Sequence, residues 1–340
     1  MGNIKLFTHT DLDGAGCAVV GNLFANVLGS QCDIKYHDYD TINESIISFF
    51  ESRKHEDYSY IFIADISINI EVANMISNEI LFSDNKRQLI KLLDHHVNSK
   101  TSFLNDYSFA IVREFENEED GNKCSGASML FNYIKGNLLD GEKKHNLFDK
   151  YRFFINAVRS YDVWEWKETA NQVAPNLNSL FYIYGMEKFV SEFSNRFHDF
   201  FDIFTKTEMS ILSLEETRNQ NYIDKKLKEV FDANLIIENN ENITTLKFKA
   251  VYAESNISIL GNKIAELYPE SDGAMIIDMS KSVSLRGVSD EIHLGEVAKY
   301  FGGGGHKKAA GFPIENLNQL IVNGVSIIYT FSSKCGHLIF

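Results

Sequence analysis

Four short apolar runs in the first hundred residues limit what this chain can fold into: Ile4–Phe7, Ile34–Tyr36, Tyr60–Ala64 and Leu89–Leu93. Helical patterns separate them, at about Ala15–Leu28, Ile42–Phe50 and Asn69–Leu81. Strands that are apolar throughout and alternate with helices predict a parallel sheet covered on both faces. In such sheets ligands sit beyond the carboxyl ends of the strands. Those ends are acidic here. The first run leads into His9-Thr10-Asp11-Leu12-Asp13-Gly14, the third ends in Asp65, and the fourth ends in Asp94-His95-His96. Asp11, Asp13, Asp65, Asp94, His95 and His96 are therefore expected along one edge of the sheet.

A lone Asp at a strand end is often a helix N-cap. Several acids and imidazoles on one edge have a second reading. Two divalent cations about 3.5–4 Å apart need carboxylates, at least one able to bridge, and imidazoles to complete their shells. Asp11, Asp13, Asp65 and His95 supply that inventory. Such a pair clamps a phosphoryl group, acidifies water and stabilises a leaving oxygen. Oxygen and nitrogen donors without thiolate favour two Mn²⁺ ions, with Mg²⁺ also suited.

The size and charge of the chain narrow the partners. Its 340 residues suggest about two domains. A net charge of -14 argues against coating long duplex DNA and fits a small anionic substrate held locally. Cys17, Cys32, Cys124 and Cys335 form no C-x-x-C pair, so reduced thiols in a cytoplasm are expected. No apolar stretch approaches a membrane span. A homodimer is one state the sequence leaves open.

Further along, Tyr107–Phe115 reads as a strand, and Ser125 as the cap of a helix to about Tyr133. A helix near Leu147–Ser160 leads into Tyr161-Asp162-Val163-Trp164-Glu165-Trp166, where an acid sits among aromatics. From Met186 to Phe231 aromatics recur at helical spacing, which reads as core or an interhelix seam. The expected organisation is a catalytic domain over 1–170, a helical connector over 171–232 and a smaller α/β domain over 233–340. In that last domain, Gly302-Gly303-Gly304-Gly305-His306-Lys307-Lys308 reads as a phosphate cradle of backbone N–H groups. Arg286 is either a second anion contact or a surface charge.

Taken together, these motifs resemble the DHH phosphoesterase family with its DHH-associated C-terminal domain. His9 to Gly14 matches the family's first motif, Asp65 its second, Asp94-His95-His96 its namesake and Asp162 its fourth. Ser284-Leu285-Arg286 and Gly302 to Gly311 match the C-terminal signature. The resemblance covers nearly the whole chain and implies a Rossmann-like N-terminal sheet. It implies Asp11, Asp13, Asp65, His95 and Asp162 as metal ligands, with Asp65 bridging. His96 would contact the scissile phosphate and Asp94 would orient a histidine. Ser284, Arg286, Gly303, Gly304, Gly305 and His306 would contact substrate. Phe7 stands where many members carry a histidine, and His9 where RecJ-type exonucleases place an aspartate, so a ligand role for His9 stays open.

The layout is similar to the nanoRNase, NrnB-like branch. That implies hydrolysis of short oligoribonucleotides to mononucleotides. Cyclic dinucleotides, their linear products and 3′-phosphoadenosine 5′-phosphate are alternative substrates. A catalytically inactive nucleotide sensor is a rival of another class, and an exonuclease on single-stranded DNA a further one.

Overall fold

The computed structural model describes residues 3–82, 88–97, 101–117, 119, 121–169, 171–197, 202–239, 242–280 and 282–314, with short backbone stretches between 326 and 339. The chain divides into two compact units, Met1–Leu212 and Ser213–Phe340.

The first unit begins β1 (Asn3–Thr8), α1 (Leu12–Leu28), β2 (Cys32–Tyr36), α2 (Ile42–Glu51), β3 (Tyr58–Ala64), α3 (Ile70–Phe82), β4 (Leu89–Asp94) and β5 (Ala110–Val112). These strands form a five-stranded sheet in the order β2-β1-β3-β4-β5, and every neighbouring pair is parallel. The period of two in each strand divides its side chains between two cores. Ile4, Leu6, Phe62 and Leu93 join the core under α1, while Phe7, Ile61, Ile63 and Leu92 join the core under α2 and α3. Both faces are thus covered, as the unbroken apolar runs require.

Two small strands, β6 (Phe115–Asn117) and β7 (Asn122–Lys123), precede α4 (Gly126–Asn137), α5 (Glu142–Asp162) and α6 (Glu165–Thr169). The strand expected over Tyr107–Phe115 is narrower, as β5, and β6 is a separate piece. Then come α7 (Val173–Tyr184), α8 (Met186–Arg196) and α9 (Lys206–Leu227). The aromatic stripe over Phe189, Phe193 and Phe197 lies in the same core as α1 and α5, with Phe154 stacked on Phe193 at 5.0 Å. The segment read as a connector is therefore shared: α7 and α8 pack into the first unit, and the division between units falls within α9.

In the second unit, β8 (Phe231–Asn239), β9 (Asn242–Tyr252), α10 (Ile257–Leu267), β10 (Gly273–Asp278), β11 (Ser282–Gly287), α11 (Leu294–Lys299), β12 (Gly304–Gly305) and β13 (Ala309–Pro313) follow in turn. Short strands β14 (Ser326–Ile327), β15 (Thr330–Phe331) and β16 (Lys334–Ile339) close the chain. The sheet runs β12-β13-β11-β10-β9-β8-β16-β14 and is antiparallel except between β9 and β10. Alternation again feeds two cores, with Phe248 and Ala250 on one face and Val251 on the other. No described helix is long and apolar enough to cross a membrane.

Candidate metal centre

Beyond Thr8 the chain turns at His9 and Thr10 and enters α1 at Leu12, three residues ahead of the expected start. Asp11 causes the early start: its Oδ1 accepts from the Gly14 N–H at 3.0 Å and caps the helix. Asp13, in the first turn and 1% exposed, accepts from the N–H groups of Gly126 and, at 3.1 Å, Ala127. These donors are the first turn of α4, so one carboxylate lies against the positive ends of two helices.

Asp65 follows β3 directly and holds a left-handed backbone at φ 63°. That conformation is disfavoured for a residue with a Cβ and recurs at functional sites. Gly126 makes room for it, because a Cβ there would stand 2.3 Å from the Asp65 Cβ. Asp94 ends β4 and is fully buried. Its Oδ1 accepts from the backbone N–H of His95 at 2.8 Å and of His96 at 3.3 Å, and faces His96 Nδ1 at 2.8 Å. Its Oδ2 accepts from the Ser67 hydroxyl. Asp94 is consequently spent on holding the two histidines.

Asp162, the last residue of α5, completes the group from outside the sheet. His95 Nε2 lies 3.3 Å from Asp65 Oδ1, 3.3 Å from Asp162 Oδ2 and 3.9 Å from Asp13 Oδ2. A neighbouring group joins His9, Asp11 and Asp65, whose ligand atoms lie within 4.8 Å of one another. His9 Nδ1 is 2.9 Å from Asp11 Oδ2, while its Nε2 is 3.9 Å from Asp38 Oδ1. Every acid and imidazole expected at the strand ends is thus brought to one edge, and Asp162 with them.

The electrostatics ask for a cation. Burial, then Asp13, Asp11 and Asp162, push the Asp65 carboxyl well above the usual range. Burial, then Asp13 and Asp11, push Asp162 up to about 8. Burial outweighs the surrounding carboxylates at His95 and holds its imidazole below the ordinary value, which favours the neutral ring that binds metals. Burial opposes a charge on His96 too, yet the Asp94 hydrogen bond prevails and raises it. Within this cluster three buried atoms have no hydrogen-bond partner among the described residues: Asp65 Oδ2, His95 Nε2 and Asp162 Oδ2. Orphaned polar atoms are scarce inside proteins, and three facing one another with carboxylate and imidazole chemistry fit a divalent ion.

Several contributors escaped the sequence reading. Ser67, two residues past Asp65, and the Gly126–Ala127 N–H pair, just past the Ser125 cap, had faint local signals. Tyr39 had none: its hydroxyl stands 3.4 Å from His96 Nδ1 and its ring 5.4 Å from that of His9.

The residues expected to hold substrate fall in the second unit. Ser284 and Arg286 lie on β11, opposite Gly311 and Ala309 of β13, and Gly304 pairs with Gly311 from the other side. Arg286 donates to Ser258 Oγ and to the Leu285 carbonyl, each at 2.9 Å. The glycine run is a tight hairpin edge, with several N–H groups already bonded. Gly302 donates to Lys299 O at 3.2 Å, Gly303 to Ala298 O at 2.9 Å and His306 to Ala309 O at 2.7 Å. Close approach requires glycine here, since a Cβ on Gly303 would meet Gly311 O at 2.1 Å.

Comparison with known proteins fits this geometry. The DHHA1 domain model matches residues 232–322. Oligoribonuclease NrnB of Bacillus subtilis is 34% identical over 317 residues, covering 91% of this chain and 72% of that protein. A 3′,5′-cyclic-nucleotide phosphodiesterase of Helicobacter pylori is 22% identical over 92% of this chain and 93% of its own. Among solved structures, RecJ of Thermus thermophilus in complex with Mn²⁺ matches with a TM-score of 0.50 at 15% identity, covering 92% of this chain and 50% of that one. That last likeness is one of fold.

Proposed function

The chain belongs to the DHH phosphoesterase family, and from that premise we propose that it is a Mn²⁺-dependent phosphodiesterase that hydrolyses short oligoribonucleotides to mononucleotides. The observation that carries this reading is the meeting of Asp13, Asp65 and Asp162 around His95 Nε2, with three buried ligand atoms left unpaired. The 34% identity to an oligoribonuclease supports the substrate class.

Asp11, Asp13, Asp65, His95 and Asp162 would hold a pair of ions, with Asp65 between the two ligand groups and His9 beside Asp11. When bound, such ions polarise the phosphoryl group, ease deprotonation of water and offset charge on the leaving oxygen. The chain's own residues orient and neutralise. Asp94 anchors His96 through Nδ1, which leaves the Nε2 edge of a ring held toward its charged form to donate to a phosphate oxygen. The Gly126 and Ala127 N–H groups fix Asp13 so that its direction is set before substrate arrives. In the second unit Arg286, whose guanidinium is held by Ser258 and its own strand, would offer a fixed fork to a phosphate. Ser284, Gly303, Gly304, Gly305 and His306 would line the same subsite.

The test is hydrolysis of a labelled diribonucleotide by purified protein with Mn²⁺, beside Asp13→Ala. A 3′,5′-cyclic nucleotide, a cyclic dinucleotide and 3′-phosphoadenosine 5′-phosphate run in parallel. Preferred turnover of the linear dinucleotide, lost in the variant, supports the reading. Equal behaviour of the two proteins, or turnover confined to a cyclic substrate, overturns it.

A further inference from the structure

The turn that leaves Asp162 carries a feature the metal centre does not use. Val163 caps α5, donating to the carbonyls of Arg159 and Tyr161, and Trp164 takes the next position with φ 63°. A left-handed residue just past a helix end is normally glycine, because a Cβ is disfavoured there. The chain instead places its bulkiest side chain at this point and leaves it 56% exposed. Burial therefore does not account for the indole.

Behind it stands a ladder of rings. Trp164 and Trp166 lie 6.4 Å apart at 24°, and Trp166 and Tyr161 lie 6.0 Å apart at 8°. Asn178 pins the Tyr161 hydroxyl at 2.8 Å. Lys167 Nζ sits 4.1 Å from the centre of the Trp164 ring and 5.7 Å from that of Trp166. The nearby Glu165 is engaged with Arg159 at 2.7 Å. An exposed aromatic ring, backed by two more and with an ammonium over it, thus lies two residues from Asp162, whose carboxylate faces His95.

We infer that Trp164 is a stacking platform for a nucleobase next to the scissile bond, with Lys167 placed to meet that nucleotide's phosphate. The inference rests on the proposed function and adds a base-binding subsite in the first unit. Planar shape and negative charge are what a ring and an ammonium select together, and base–aromatic stacking tolerates any base. A substrate of mixed sequence needs that tolerance.

The chain has two tryptophans, both in this ladder, so indole emission reports on it alone. Full-length Trp166→Phe keeps Trp164 as the single reporter. In Mn²⁺ buffer, 5′-AMP should quench its emission saturably, and ribose 5-phosphate, which lacks a base, should not. Trp164→Ala should raise KM for a diribonucleotide roughly ten- to hundredfold with a smaller change in kcat, and Trp164→Tyr should restore most of it. Equal responses to 5′-AMP and ribose 5-phosphate would overturn the platform, as would a Trp164→Ala KM within twofold of wild type. A fall in kcat at constant KM, unrescued by Tyr, would also overturn it and mark Trp164 as structural. Wild-type protein that cleaves no dinucleotide defeats the proposed function, and the emission titration then still decides the platform.

Discussion

His95 Nε2 stands 3.3 Å from Asp65 Oδ1, and neither His95 Nε2 nor Asp65 Oδ2 has a hydrogen-bond partner in the buried edge of the sheet. The cluster around the pair stores carboxylate repulsion and unmet bonding that a cation would relieve, so its energetics should invert with the metal supply. In chelator, Asp65→Asn should melt above wild type, because it removes a buried acid whose charged form burial and the neighbouring carboxylates oppose. In Mn²⁺ the order should reverse, since wild type gains about 2.7 kcal/mol at a hundredfold excess over Kd. Hydrolysis by the variant should fall more than about a hundredfold. Thermal melts with and without Mn²⁺ check both halves.

The raised carboxyls give a pH dependence of definite sign. Burial and the neighbouring acids push Asp162 up to about 8, far above its unfolded value of about 3.9. A group raised on folding contributes stability below its unfolded pKa that is lost as pH rises through the folded one. Metal-free protein should therefore lose stability between about pH 4 and pH 8 from this group. Protons and metal compete for the same oxygens, so apparent Mn²⁺ affinity should climb over that range with proton release. Calorimetry in buffers of different ionisation enthalpy measures the release.

Gly126→Ala tests the close approach of α4 to the acids. Its new Cβ would sit 2.3 Å from the Asp65 Cβ, so the helix start must move. That movement withdraws two N–H donors from Asp13. Expected outcomes are a loss of about 1–3 kcal/mol in stability and a larger proportional loss of Mn²⁺ affinity. Urea titration and metal-binding calorimetry report on each.

Away from the site, Arg196 and Glu208 form a buried pair at 2.7 Å, with Glu208 2% exposed. Burial favours the neutral acid, yet hydrogen bonds from Arg196, the Thr205 N–H and Tyr184 prevail and hold Glu208 below the usual range. A depressed acid contributes stability above its unfolded pKa, near about 4.3, that disappears as pH falls through the folded value. Arg196→Ala should cost about 3–5 kcal/mol at neutral pH, and Glu208→Gln should flatten the acid limb of a urea-midpoint profile.

The order of strands and helices in the first unit was legible because its apolar runs are short, unbroken and separated by helical patterns. Strand ends then placed Asp65, Asp94 and His95 with little ambiguity, since a parallel sheet gathers its carboxyl ends. Asp162 was harder: periodicity puts it at a helix end among aromatics, and only the motif resemblance marked it. The glycine run illustrates the opposite difficulty. Composition suggested open N–H groups, whereas pairing across β12 and β13 consumes several of them, a tertiary fact no local pattern encodes. Tyr39 was invisible for the same reason, because its place beside His96 depends on a loop conformation after β2.

Since the cluster is finished by the last residue of α5, a ribosome must deliver that helix before Asp13, Asp65 and His95 gain their final neighbour. An unfinished nascent chain carries only part of the set, however well its sheet has formed. Truncations stopping ahead of Glu142 would keep every strand of the parallel sheet and still lack the means to trap a cation firmly.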